Sequence, residues 1–228
     1  MDNFLKTKAF LKDLFFPKFC LGCNKEGTFL CQDCRHLLDI LEVNFPAKNK
    51  FLDGLYFALS YKESGLCQKL IHNFKYPPYL KALAPDLANI LIEHFIKIGK
   101  NTNEVWENSV LTPVPLHVKK LKERGYNHSQ ELARELGIIL KIPVLTDILV
   151  KTKDTKSQVG LNKMEREKNL LGAFSLTKNP QSCGSHGFSK VFLVDDVYTT
   201  GSTMQECAKI LKENGVKSVW GIAIARED

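Results

Sequence analysis

No stretch of this chain approaches the roughly 20 consecutive apolar residues that a membrane-spanning helix needs, so no helical span is expected. The start, MDNFLKTKAFLKDLFFPKF, lacks a continuous apolar core and a small-residue cleavage site, and secretion is not expected either. A disulfide framework is also missing. Four of the seven cysteines form two Cys-x-x-Cys pairs close together, while Cys67, Cys183 and Cys207 are scattered singletons, a usage that suits a reducing compartment. Together these absences point to the cytoplasm.

What is present is ample for one sizeable core plus a small appendage: 228 residues, 44% hydrophobic and 25% charged. The net charge of +7 favours polyanionic partners, although a lysine-rich composition kept for solubility explains it equally well. Distribution says more than the total. From His117 to Leu170 there are twelve basic residues against seven acids, so much of the excess sits in one segment.

Residues 4–15 place Phe4, Leu5, Leu11, Leu14 and Phe15 between lysines, which predicts a short amphipathic helix ending before Pro17. Packing on its own protein is the expected use, with peripheral contact at the inner face of the membrane as the alternative. Next comes CLGCNKEGTFLCQDC. Its Cys20, Cys23, Cys31 and Cys34 have the spacing C-x2-C-x7-C-x2-C, and two such knuckles can present four thiolates at the tetrahedral corners zinc accepts. A pair of disulfides is the competing use. An all-sulfur site is closed to substrate, so the zinc is expected to be structural and to hold together a segment too small for its own core.

Past the polar FPAKNK, the aromatic and apolar FLDGLYFALSYK predicts a strand or hairpin. Residues 1–50 are therefore expected to form the zinc module and residues 51–228 a second domain. From Cys67 the pattern predicts a helix, a turn at Pro77-Pro78 and a second helix closed by Gly99, with His72 and His94 as ordinary helix-face residues. SVLTPVPLH predicts a short buried strand running into a loop, followed by a helix from about Ser129 to Leu140 and a return to strand at KIPV. VFLVDD, the helix TMQECAKILKEN stopped by Gly215, and SVWGIAIAR complete a strand, helix, strand unit. Such alternation implies an α/β domain with parallel strands.

The chemistry concentrates in KVFLVDDVYTTGSTM. Val191 to Val194 predict a buried central strand, with Asp195 and Asp196 at the carboxyl end, where open α/β sheets bind ligands. Thr199, Thr200, Gly201, Ser202 and Thr203 then offer hydroxyls and backbone amides at a helix N-terminus, a nest for an anion. A phosphate alone would be repelled by two nearby carboxylates. A sugar phosphate keeps them apart: the acids accept hydrogen bonds from vicinal ribose hydroxyls while the nest holds the 5-phosphate, and magnesium bridging to a diphosphate offsets the charge. The bland alternative is that the acids and hydroxyls merely cap the turn and the helix.

This run resembles the phosphoribosyl diphosphate (PRPP) motif of type I phosphoribosyltransferases. In order along the chain, the cysteine module, FKY at 74–76, PVPLHVKKLKERGYNHSQELA, TKSQVGLNKMEREKNLLGAF and VFLVDDVYTTGST are similar to the ComF (ComFC) family of competence-associated proteins. The resemblance implies a parallel phosphoribosyltransferase-like sheet flanked by helices, with an N-terminal zinc finger. It assigns Asp195 and Asp196 to ribose hydroxyls and metal, Thr199 to Thr203 to the 5-phosphate, and the loop Val114 to Lys120, with Lys119, Lys120 and Arg124, to the diphosphate. Residues 155–169 would form a flap, with Thr155, Gln158, Leu161, Arg166 and Asn169 at family-like positions; simple solvation of a long loop is the alternative. Two departures stand out. Lys119 and Lys120 replace arginines common after PLH, losing the planar fork that suits a diphosphate, and His128 stands in RGYNH where the family has an amide.

Phosphoribosyl transfer passes through an oxocarbenium-like state that positioning and charge can stabilise without a nucleophilic side chain. The absence of a Ser-His-Asp or reactive-cysteine arrangement therefore does not exclude an enzyme, but no pocket for an acceptor base is recognisable in the sequence. The resemblance implies a protein of natural transformation that binds imported single-stranded DNA in the cytoplasm and carries a PRPP site, with helicase-like and recombination-mediator proteins as partners. A salvage phosphoribosyltransferase with a purely structural zinc module is the alternative. For DNA, Lys119, Lys120 and Lys122 are the candidate contacts, and Phe15, Phe16, Lys18, Phe19, Lys25, Phe29 and Arg35 interleave aromatic and basic groups as base-stacking surfaces do.

Overall fold

Four buried runs, GLYFALS, SVLTP, KVFLVDDVY and SVWGIAIAR, line up as one parallel sheet in the computed structural model, which describes residues 17–43, 50–100, 102–155, 165, 169–177 and 188–227. They are β1 (Gly54–Ser60), β2 (Ser109–Pro113), β5 (Lys190–Tyr198) and β6 (Ser218–Arg226), in the order β1-β6-β5-β2. A short antiparallel pair, β3 (Leu149–Lys151) and β4 (Phe174–Leu176), stands apart. The expected helix over 4–15, with Phe15 and Phe16, lies outside the described residues, as do Gln158, Leu161, Arg166 and Cys183.

Alternation along each strand divides the core in two, because successive side chains leave a strand on opposite faces. Tyr56, Ala58, Leu111, Phe192, Val194, Ile222 and Ile224 share one cluster with α2 (Gly65–Lys75), α3 (Ala84–Lys97) and α6 (His128–Leu140). Leu55, Phe57, Val110, Val191, Leu193, Val219 and Ala223 share the other with α7 (Ser202–Glu213). Strands covered on both faces need no polar side, which is why these runs are continuously apolar. Each fully buried Leu or Phe, such as Leu91, Phe95 and Phe192, contributes about 2 kcal/mol.

The apolar FLDGLYFALSYK makes one strand, pairing in parallel with β6 from Gly54↔Trp220 to Ser60↔Arg226, and not a hairpin. The return to strand at KIPV is reduced to a single bridge between Leu111 and Val144, since Pro143 has no N–H to extend a ladder. Within the stretch read as loop after PLH lies a seven-residue helix, α5 (Val118–Arg124), following the short α4 (Asn103–Trp106). His117 caps its start by accepting from the Lys119 N–H, and Gly125 ends it at φ +78°, a conformation glycine adopts without strain.

The cysteine segment, with its short helix α1 (Gln32–His36), sits on α3. Cys20, Leu30, Cys31, Cys34, Leu38 and Ile40 belong to the same apolar cluster as Leu70, Phe74, Leu87 and Leu91. Arg35 donates to Glu93 and to the Asn89 carbonyl, and Lys97 pairs with Glu42. His94, fully buried, bonds the Leu41 carbonyl through Nδ1 at 2.7 Å, and burial lowers its pKa, favouring the uncharged ring.

Candidate functional site

β5 carries Asp195 and Asp196 to the carboxyl end of the sheet, into a cleft of about 610 Å³. Thr199, Gly201, Ser202 and Thr203 form one side of it, and Thr200 is tied in through its Oγ1, 2.8 Å from Ser202 Oγ. Gly201 takes φ +75° as the N-cap of α7, and a Cβ there would collide with the Tyr198 hydroxyl. Only glycine gives the chain that turn, which aims the first amides of a twelve-residue helix at the cleft.

The two acids differ in surroundings. Asp196 is almost fully enclosed, and Lys75 Nζ, from the last residue of α2, lies 3.1 Å from its Oδ1 and 2.8 Å from its Oδ2. Oδ2 meets the ammonium without the alignment of a hydrogen bond and has no hydrogen-bond donor among the described residues. Burial alone would raise the Asp196 pKa, yet the Lys75 ammonium, by its charge and its hydrogen bond, holds it well below the usual carboxylate range. Lys75 shows the matching effect: burial would lower it, but Asp196 and Asp195 raise it. Asp195 is half-buried and accepts a 2.9 Å hydrogen bond from Ser129 Oγ.

The segment RGYNHS explains how this layer is held. The Tyr126 hydroxyl donates to the Phe74 carbonyl, fixing the end of α2 from which Lys75 reaches the acid. Asn127 caps α6 by accepting from the Ser129 N–H and donates from Nδ2 to the Val114 carbonyl at 3.0 Å, tethering the PLH loop. Arg124 Nη1 lies 3.0 Å from His128 Nδ1. A guanidinium only donates, so Nδ1 accepts and the ring proton sits on Nε2, which faces Asp195 at 3.8 Å and Asp196 at 3.7 Å. His128 thus belongs to the acid layer. Sequence reasoning noted it as a departure without finding this place, and it missed Lys75 and Ser129.

Opposite the acids the cleft is basic. Lys120 and Arg124, four residues apart on α5, both line it, as does Lys151 on β3. Burial lowers Lys120, and the charges of Arg124 and Lys75 lower it further; burial lowers Lys151, and Lys120 adds to that. Crowded cations of this kind favour an anion between them. Lys119 and Lys122 lie on the outer side of the same helix: Lys119 is 73% exposed and pairs with Asp154 at 2.6 Å, and Lys122 is exposed. Of the flap positions, Thr155 is buried and Asn169 half-buried. Among the stacking candidates, Phe19 is exposed, Phe29 packs on the core, Lys25 pairs with Asp33, and Arg35 is engaged by Glu93.

Cys20, Cys23, Cys31 and Cys34 converge with their sulfurs all within 4.8 Å of one another, and the described cysteines form no disulfide. Tetrahedral zinc–thiolate geometry calls for sulfurs about 3.8 Å apart. Backbone N–H groups of Cys31 and Cys34 point at the sulfurs of Cys20 and Cys31, and a Cβ on Gly22 would lie 2.6 Å from the Cys34 sulfur. Burial would raise Cys20, but the amides of Cys31, Cys23 and Gly22 bring it down to about 6, favouring its thiolate. The cluster is compatible with a structural zinc. For magnesium, a hard cation, the carboxylates of Asp195 and Asp196 are the fitting ligands, with Asp196 sharing its charge with Lys75.

The fold and cleft define a phosphoribosyltransferase-like α/β protein, and the phosphoribosyl transferase domain family matches residues 115–226. Competence protein F of Haemophilus influenzae is 39% identical over 132 residues, 57% of this chain and 56% of that protein. DNA utilization protein YhgH of Escherichia coli K12 is 31% identical over 150 residues, 66% and 63% of the two chains, and Competence protein ComFC of Bacillus subtilis 33% over 106 residues, 46% and 39%. These relatives support the ComF/ComFC family for this chain. It matches less than two thirds of the length of each of these relatives.

Proposed function

We propose that this protein serves DNA uptake in natural transformation, binding imported single-stranded DNA in the cytoplasm and holding PRPP with magnesium in the cleft. Residues 1–50 act as a zinc-stapled module and residues 51–228 as the phosphoribosyltransferase-like domain. The arrangement that carries the reading is the pairing of Asp195 and Asp196 with a phosphate nest on one side and Lys120, Arg124 and Lys151 on the other. Ribose hydroxyls suit the acids, the 5-phosphate suits Thr199 to Thr203, and the diphosphate suits the cations. Bound magnesium would offset the diphosphate charge beside the two carboxylates. Ser129 and His128 orient the acids, and Asn127 holds the loop that faces the diphosphate. Relatives named for competence and for DNA utilization support the cellular role.

Asp195→Asn combined with Asp196→Asn is expected to weaken PRPP binding by two orders of magnitude or more while the far-ultraviolet circular dichroism stays native. Unchanged affinity by calorimetry would show that the acids do not hold the ribose. On the outer face of α5, Lys119→Glu with Lys122→Glu should weaken single-stranded DNA binding and flatten its salt dependence, each lost phosphate contact reducing the slope by about 0.7. Salt-insensitive binding, or a slope untouched by the substitutions, would remove this face from the DNA path.

A further inference from the structure

The short helix α5 carries cations on two sides. Lys120 and Arg124, four residues apart, line the cleft, while Lys119 and Lys122, three apart, face outward; a helix gathers residues of either spacing on one face, and here the faces differ. No residue of α5 is fully buried. Its ends and polar ties hold it instead: the His117 cap, the turn at Gly125, and Arg124 Nη1 at 3.0 Å from His128 Nδ1. The one acid of the helix, Glu123, lines the cleft, so the outward face has no negative charge of its own. One reaches it from elsewhere: Asp154, just past β3, accepts a hydrogen bond from Lys119 at 2.6 Å.

The outward face thus already holds an oxyanion, one that belongs to the protein. A helix with its side chains is about 10–12 Å across, so anions on its two faces lie about one Debye length apart at roughly 0.1 M salt. At about 10 Å, each pair of like unit charges weakens binding by about twofold in water, and by more where protein separates them. PRPP and DNA are both polyanions, and several such pairs act at once.

We infer that α5 couples the two ligands with negative sign: a phosphate ligand filling the cleft loosens single-stranded DNA from the outward face, and bound DNA loosens the cleft ligand by the same factor, as linkage requires. The inference rests on the proposed function, which puts DNA on Lys119 and Lys122 and PRPP against Lys120 and Arg124. Because the ligands occupy opposite faces and share no site, the effect has a ceiling. DNA affinity falls to a plateau once the cleft is full. Charge placed behind the helix releases the strand, and Asp154 returns to Lys119.

The test is fluorescence anisotropy of a labelled oligothymidylate on the full chain, titrated at several fixed PRPP concentrations with the same magnesium in every arm; calorimetry follows PRPP itself. At about 50 mM salt, saturating PRPP is expected to weaken the oligonucleotide about fivefold and then level off, and at about 200 mM the ratio should shrink to about twofold. Calorimetry with the oligonucleotide present should show PRPP weakened by the same factor. In Lys119→Gln combined with Lys122→Gln, the effect on the residual DNA binding should fall within about twofold at the lower salt. Bound PRPP that leaves DNA affinity unchanged, or raises it, overturns the coupling alone. Weakening that keeps growing with PRPP and never levels off means one shared site and overturns it too, and a full effect in the double variant overturns the assignment to α5. Failure of PRPP to bind, or of DNA to bind without PRPP, overturns the proposed function and the coupling with it.

Discussion

Removing zinc with a chelator, or replacing Cys34 by serine, is expected to destabilise the whole protein and not only the segment that carries the cysteines. The reason lies in where the sulfurs sit. Cys20, Cys31 and Cys34 share one apolar cluster with Leu70, Phe74 and Leu91, which also cover the sheet. A tetrathiolate site supplies on the order of 10 kcal/mol toward folding its own segment. Without it the knuckle loosens, and the faces of α2 and α3 beneath it lose their cover. A net loss of about 3 kcal/mol, modest against the metal term, would lower the midpoint of a chain this size by on the order of 10 °C. Calorimetric melts of zinc-loaded and chelated protein, with metal content measured on both, decide the matter. An unchanged midpoint after verified loss of metal would show that the knuckle is an independent appendage.

Lys75→Met is expected to cost about 3–5 kcal/mol, as removal of one partner from a buried ion pair does. The Asp196 side chain is only 2% exposed, so the carboxylate cannot turn to water when its counter-charge is gone. Asp196→Asn is expected to cost far less. The Lys75 side chain is 27% exposed and can extend its ammonium into the cleft, which leaves an amide to be satisfied and no stranded charge. Urea unfolding of the two variants measures the difference, with the m-value checked for constancy. Equal losses would mean that the pair is no more buried from one side than from the other. The same asymmetry makes Lys75 a positioning residue for any ligand of Asp196, since hydroxyls or a metal must share the carboxylate with it.

How much of this was legible in the sequence follows from chain distance. The acids and the nest occupy one continuous stretch, and a buried strand running into a glycine turn and a helix fixes their arrangement locally. The four cysteines are equally local. Lys75 reaches Asp196 across 121 residues and Ser129 reaches Asp195 across 66, and no periodicity encodes such meetings. α5 escaped because VKKLKER has no apolar stripe; the glycine after it and the basic last turn were the available signals. β3 and β4 are three residues each, too short for a pattern of period two to register.

The strand order β1-β6-β5-β2 also sets a schedule. β1 and β2 do not touch each other in the sheet; Gly54 finds its place against Trp220, and Ser109 against Lys190. As the chain leaves the ribosome, both early strands must wait, with their apolar faces unpaired, for partners made long after them. Non-local pairing of this sort is slow and exposes strand edges in the meantime. The segment that brings the acids to the cleft is also the one that gives β2 its partner strand, so the site and the sheet come into being together.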